Sequence, residues 1–201
     1  MGKLTKALEK SFSQKNQSET STGQTPAEPV NAVAANPYGE GMMTYYKSWD
    51  ERLQISTDPK SQIFESFRRL RVRLLYSGQK PKTLLVTSLM PSEGKGFVCA
   101  NLGVALSQDM EHQALMVDCD FRRPTLAGLF GLSNETGLVD YLNDNVDLSF
   151  LIRKTGQPKL SLLPSGRPPK NASELLGSGK MIALINELSE RYQDRIVLFD
   201  S

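Results

Sequence analysis

Pro91-Ser92-Glu93-Gly94-Lys95-Gly96-Phe97 follows one apolar run of this chain, and Asp118-Cys119-Asp120-Phe121-Arg122 closes the next. Successive backbone N–H groups that curl around phosphate oxygens at the start of a helix make an anion-binding loop. Gly94 permits the close approach, and Lys95 is placed to reach terminal phosphates as a point charge. The next residue of such a loop ordinarily offers a Ser or Thr hydroxyl to Mg²⁺, but here it is Gly96. Leu89 stands where the pattern G-x-x-x-x-G-K-[ST] begins with glycine, so the loop taken alone misses that pattern at both ends.

The carboxylates strengthen the phosphate reading. Asp118 and Asp120 are expected on opposite faces at the end of the second strand, one directed at a metal ion and the other at its waters or an incoming hydroxyl. Asp200 ends the apolar run Ile196 to Phe199, where an acid would hold Mg²⁺ directly or through water. The bland alternative is a buried strand ending in aspartates that only cap helices. With the loop upstream at the distance of a β-α-β unit, the combination points to ATP and Mg²⁺. Lys95, Asp118 and Asp120 are the candidate catalytic residues. Pro91, Ser92, Glu93, Gly94, Lys95, Gly96 and Phe97 would hold the nucleotide, and Asp118, Asp120 and Asp200 the metal.

These residues need elements to position them. Lys82 to Leu89 reads as a short strand covered on both faces, and Phe97 to Gln108 as the helix after the loop. Ala114 to Cys119 reads as the second buried strand. A helix near Leu138 to Leu142, a strand at Lys159 to Leu163, a helix from Ala172 to Tyr192 and a strand from Arg195 to Phe199 continue the alternation. Met181, Leu184, Ile185 and Leu188 form the core face of the long helix. The result is an α/β fold, P-loop NTPase-like, with a mostly parallel sheet and helices on both faces. Upstream, Asp58-Pro59 opens a helix to Tyr76 with Ile63, Phe67, Leu70 and Leu74 as its packed stripe, and Gly78 stops it. On its other face Glu65, Arg68 and Arg71 read from composition alone as solvated charge.

Residues 1–50 are read as a short helix plus a disordered tether, and 51–201 as the P-loop domain. Met1 to Lys10 has helical spacing, suited either to docking on a partner or an anionic membrane or to a frayed end. Ser11 to Pro37 carries almost no large apolar side chain and cannot offset its ordering entropy. With 201 residues and 39% hydrophobic content the chain can bury one sizeable core. A formal net charge of +2 gives no footprint for nucleic acid, and no apolar run is long enough to span a bilayer. Cys99 and Cys119, each inside an apolar run, read as buried reduced thiols of a cytoplasmic protein. His112 reads as a solvated turn residue without an assignable carboxylate. Arg122 and Arg123 suit either phosphate or surface pairing.

From Ser61 to Ser201 the sequence resembles the bacterial tyrosine kinases, P-loop autokinases of capsule and exopolysaccharide export. The resemblance lies in Glu65-x-x-Arg68-x-x-Arg71, Pro91 to Lys95, Asn101-Leu102, Val117 to Pro124, and Leu163 to Pro169 leading to Glu174-Leu175-Leu176. Met1 to Lys10 looks like the start of stand-alone members that accompany exosortase-linked systems. The resemblance implies ATP-dependent tyrosine phosphorylation between subunits of a homo-oligomeric ring, with Glu65, Arg68 and Arg71 touching the neighbouring subunit. It implies stimulation by a membrane-embedded chain-length regulator, protein tyrosine substrates, no nucleic acid, and a cytoplasmic location at the inner face of the plasma membrane through that partner. It further implies that relatives continue past Ser201 into a tyrosine-rich tail, so that the base pocket and main autophosphorylation sites would lie beyond this chain. Tyr45 and Tyr46 are accessible tyrosines near the tether. Gly96 departs from the family's Ser or Thr and threatens turnover more than binding. Two alternatives follow: a catalytically impaired nucleotide-binding scaffold of the same fold, and a partition or cell-division-type ATPase. The latter uses an extra lysine early in the loop, where this chain has Met90.

Overall fold

The computed structural model describes residues 48–76, 78, 81–190 and 194–201. The expected N-terminal helix, the tether, and Tyr45 and Tyr46 lie outside them. Elements are numbered within the described residues: α1 Glu51–Ser56, α2 Gln62–Tyr76, β1 Thr83–Val86, α3 Lys95–Ser107, β2 Gln113–Asp118, α4 Leu126–Leu129, α5 Leu138–Asp144, α6 Leu148–Leu151, β3 Arg153–Lys154, β4 Leu160–Leu163, α7 Ala172–Leu176, α8 Gly179–Glu190 and β5 Arg195–Asp200.

Side chains alternate across a strand, and the two central strands are apolar at every interior position, so each needs cover on both faces. Ala114 and Met116 of β2 and Ile196 and Leu198 of β5 enter one core with Trp49, Leu53, Leu75, Leu102, Leu106 and Phe130. Leu115, Val117, Val197 and Phe199 enter the other, with Leu138, Leu142, Met181, Leu184 and Leu188. Helices on both faces follow from that alternation. The sheet runs β1-β5-β2-β4-β3, parallel except for the β3–β4 pair. Each fully buried Leu or Met contributes about 1.5–3 kcal/mol by leaving water. The P-loop NTPase-like fold read from the alternation is the fold observed.

Several local expectations change. α2 begins at Gln62, where the Ser61 hydroxyl accepts from the Ile63 N–H at 3.2 Å; Asp58 instead caps the preceding turn through the Lys60 N–H. Its stripe is narrower than expected. Phe67 and Leu74 pack against the core and Leu75 is buried, whereas Ile63 and Leu70 are exposed. α2 lies on α3 rather than directly on the sheet, and a helix on a helix covers a narrower band. β1 is a sheet edge of four residues, not a strand covered on both faces: Leu85 is 65% exposed and Leu89 fully so. The long helix is two, broken at Gly177-Ser178, where the Leu175 carbonyl accepts from the Ser178 N–H.

The segment before α1 belongs to the core. Trp49 meets Phe130 edge to face at 4.9 Å between ring centroids and donates Nε1–H to the Thr155 carbonyl at 3.0 Å. Ser56 of α1 donates to Asn101 of α3, whose amide donates to the Phe97 carbonyl. The first of these bonds fastens α1 to the helix that follows the loop, and the second, within α3, holds the Asn101 amide in place.

Candidate nucleotide-binding site

β1 delivers the chain into the loop, and α3 takes it out. Gly94 is the residue before the helix, at φ +89°, a conformation that side chains with a Cβ rarely adopt. Ser92 holds φ +67° without being glycine, which marks a constrained turn. No side chain caps α3 and no acid occupies its first turn, so its opening N–H groups and positive dipole end face the cleft. The loop is braced from within. The Met90 N–H donates to the Glu93 carboxylate at 3.0 Å, and the Ser88 hydroxyl donates to the Met90 carbonyl.

A cleft of about 630 Å³ opens here. Pro91, Ser92, Gly94, Lys95, Gly96 and Phe97 line it, as the sequence suggests, together with Asp120 and Thr125. Glu93 is not a lining residue; its carboxylate holds the loop. Arg52, Arg122 and Arg123 line the mouth; Arg52 is paired with Asp50 at 2.9 Å, so the added positive charge comes from Arg122 and Arg123. Sequence reasoning missed Arg52, which comes from α1, and left the other two undecided.

Lys95 and Asp120 form an ion pair with both side chains largely shielded. The hydrogen bond from Lys95 is matched by N–H groups of Arg122 and Arg123, which donate to Asp120 at 3.2 and 2.9 Å. Burial works against ionisation of Asp120, but the Lys95 bond and these N–H groups outweigh it and hold the carboxyl below its ordinary value. In return, the bond to Asp120 raises the Lys95 ammonium.

Opposite faces for Asp118 and Asp120 do not follow from pleating, since residues two apart on one strand share a face; the two carboxylates are told apart by their partners. β2 ends at Asp118, and Asp120 lies beyond it in the turn. One oxygen of Asp118 accepts from the Asp120 N–H, the other from the N–H groups of Thr125 and Leu126. It therefore anchors the turn and the start of α4. Burial pushes its carboxyl up to about 7, with the charge of Asp200 adding and the Leu126 N–H opposing.

Asp200 stands beside Asp118 in the β5–β2 register and is fully buried. Neither of its carboxylate oxygens has a hydrogen-bond partner. Burial raises it to about 6 against the pull of Lys95. Among the described residues no three acidic, histidine or cysteine side chains lie close enough to chelate a cation by themselves. A hard cation fits the site because a buried carboxylate without partners is costly unless paired. Asp200 would hold Mg²⁺, with hydroxyl, water and phosphate oxygens as the remaining donors.

On α2, Glu65, half-buried, pairs with the exposed Arg68 at 3.0 Å and Arg69 at 3.6 Å. Arg71 turns inward and donates to the Ala105 carbonyl at the end of α3. His112 departs from the solvated-turn expectation: its Nδ1 lies 2.7 Å from Asp109. Cys99 and Cys119 are buried and free, with burial pushing the Cys119 thiol up to about 12.

A glycine-bent loop, an open helix end with its lysine, and acids on the adjacent strand ends define a P-loop nucleotide-binding protein. CapB of Staphylococcus aureus is 35% identical over 158 residues, covering 78% of this chain and 68% of that protein. The tyrosine-protein kinase wzc of Salmonella typhimurium is 35% identical over 146 residues, 72% of this chain but only 20% of its own length. The crystal structure of the chimerical protein CapA2B2 superposes with a TM-score of 0.66 at 32% identity, covering 76% of this chain and 68% of that one. No family model matches the chain. The chain belongs to the bacterial tyrosine-protein kinases.

Proposed function

We propose that this chain is an ATP- and Mg²⁺-dependent protein-tyrosine autokinase that regulates capsule or exopolysaccharide polymerisation and export. The observation that carries the reading is the meeting of Lys95 and Asp120 at the open start of α3, next to the buried, unpartnered Asp200. Bound Mg·ATP supplies the phosphoryl group and neutralises charge on it. Lys95, drawn from Asp120 by phosphate, binds the terminal phosphates, while backbone N–H groups from Ser92 to Phe97 surround them. Asp120, released by the same exchange and ionised by its N–H donors, accepts the proton of an incoming tyrosine hydroxyl. Asp118 orients Asp120 and Thr125 through their N–H groups. Arg122 and Arg123 favour an anionic ligand.

The charged and apolar exposed face of α2, with Glu65, Arg68, Leu70 and Val72, is the proposed contact between subunits of a ring, and Arg71 fixes that helix on α3. Among the described residues no helix is long and apolar enough to cross a membrane. We place the protein in the cytoplasm at the inner face of the plasma membrane, held by a membrane-embedded chain-length regulator, with protein tyrosines as substrates and no nucleic acid. Incubation with Mg·ATP followed by mass spectrometry of phosphotyrosine tests the reading. Phosphotyrosine that disappears in Lys95→Met is expected. Gly96 favours a second reading, a nucleotide-binding scaffold of the same fold, and nucleotide binding without any phosphotyrosine would decide for it.

A further inference from the structure

Gly96 lacks the hydroxyl that a P-loop ordinarily offers at this position, and the space is not empty. A Cβ built on Gly96 would stand 2.1 Å from Oγ1 of Thr125 and 3.1 Å from Oδ2 of Asp200. A serine hydroxyl at position 96 would project one C–O bond from that Cβ, so Thr125 already brings a hydroxyl oxygen into the same space. Its placement is fixed from outside the loop, because the Thr125 N–H is held by Asp118 at 3.2 Å. Threonine before a helix commonly turns its hydroxyl to cap that helix. Here the Thr125 side chain makes no such bond to α4. Thr125 lines the same cleft as Lys95 and Asp120. An independent observation points to a cation at this spot: Asp200 is fully buried with both carboxylate oxygens unpartnered, one of them on the side of Gly96.

We propose that Thr125 supplies the alcohol ligand that Gly96 lacks, so that its hydroxyl and the Asp200 carboxylate face the Mg²⁺ of a bound nucleotide. The inference rests on the nucleotide-binding reading above. A hydroxyl oxygen and a carboxylate are both hard donors suited to Mg²⁺. The two positions then form an exchange: glycine at 96 makes room, and threonine at 125 fills it. β-Branching leaves Thr125 few rotamers with which to yield. A side chain at position 96 therefore collides with Thr125 while position 125 stays threonine, and Gly96→Thr alone does not improve the site.

The test is calorimetric titration of the full chain with ADP, once in excess Mg²⁺ and once in EDTA, the ratio of the two affinities being the readout. Thr125 is exposed, so its replacement leaves the core intact. In the unsubstituted chain Mg²⁺ strengthens ADP binding. Thr125→Ser keeps that gain. Thr125→Val, equal in shape but without the hydroxyl, lowers it by about tenfold or more, the scale on which supporting metal contacts act. Gly96→Ser combined with Thr125→Ala returns the gain. The proposal is overturned if Thr125→Val keeps the full Mg²⁺ effect, if Thr125→Ser loses it as Val does, or if Mg²⁺ does nothing for the unsubstituted chain. Absence of ADP binding under both conditions would instead remove the nucleotide reading itself.

Discussion

Lys95 and Asp120 hold each other, and any phosphate that claims the ammonium must break that pair. Lys95→Met removes the only loop cation and leaves Asp120 to its N–H donors. Loss of a charge-assisted contact of this kind costs about 1.5–3 kcal/mol, roughly tenfold or more in nucleotide affinity, measurable by titration. Asp200 offers a second residue-scale check. A buried carboxylate without a partner is unfavourable to the nucleotide-free fold. Asp200→Asn is expected to raise the melting temperature of the nucleotide-free protein, by about 2–4 °C for each kcal/mol relieved in a chain of this size, and to weaken the gain that Mg²⁺ gives to ADP binding. The residue types were legible because a lysine after glycine and aspartates at strand ends are sequence-local signals. The hydroxyl of Thr125 was not, since only the folded turn after β2 carries it to Gly96. Nor was Arg52, which the docking of α1 brings to the cleft mouth. The strand-end signal was also ambiguous, for Asp118 binds backbone N–H groups as a capping residue does.

The elements around the site were read most accurately where burial is two-sided. β2 and β5 follow their apolar runs because both faces meet helices, whereas β1 and α2 were read as more covered than they are. Apolar side chains announce a preference for burial but not whether a neighbour arrives to provide it. The break between α7 and α8 was missed because the helical spacing of the apolar residues runs on past Gly177. Trp49 did find its neighbour. One large side chain ahead of the first helix packs on Phe130 and binds the carbonyl of Thr155. Trp49→Ala should destabilise by about 3–5 kcal/mol, read from the denaturation midpoint, and Trp49→Phe by less because the ring contact survives without the N–H bond. Since α1 also carries Arg52, Trp49→Ala is expected to weaken nucleotide binding beyond what stability alone explains.

At the scale of the whole molecule the chemistry gathers at the carboxyl ends of the parallel strands, and a separate polar cluster serves the other end of α3. There Asp109 faces His112, the Tyr76 hydroxyl and the Glu111 N–H. Burial opposes its ionisation, but the hydrogen bonds from His112, Glu111 and Tyr76 prevail and hold the carboxyl at about 2, below its ordinary 3.8. Its contribution is therefore present above about pH 4 and is lost as pH falls toward 2. Asp109→Asn should be less stable than the parent at neutral pH, with the difference shrinking in acid, as followed by thermal unfolding across that window. On the exposed face of α2, Arg68→Glu with Leu70→Asp should shift any assembled species toward monomer in sedimentation velocity while leaving the melting temperature of the monomer nearly unchanged, since both residues are exposed. The central claim is that the loop after β1 binds a magnesium nucleotide through Lys95. Its most direct measurement is titration of the folded chain with Mg·ADP beside the Lys95→Met variant. Saturable heat with one nucleotide per chain, largely abolished by the substitution, is the expected result. A chain that melts cooperatively yet gives no heat and no thermal shift, or binds equally well without the lysine, would contradict it.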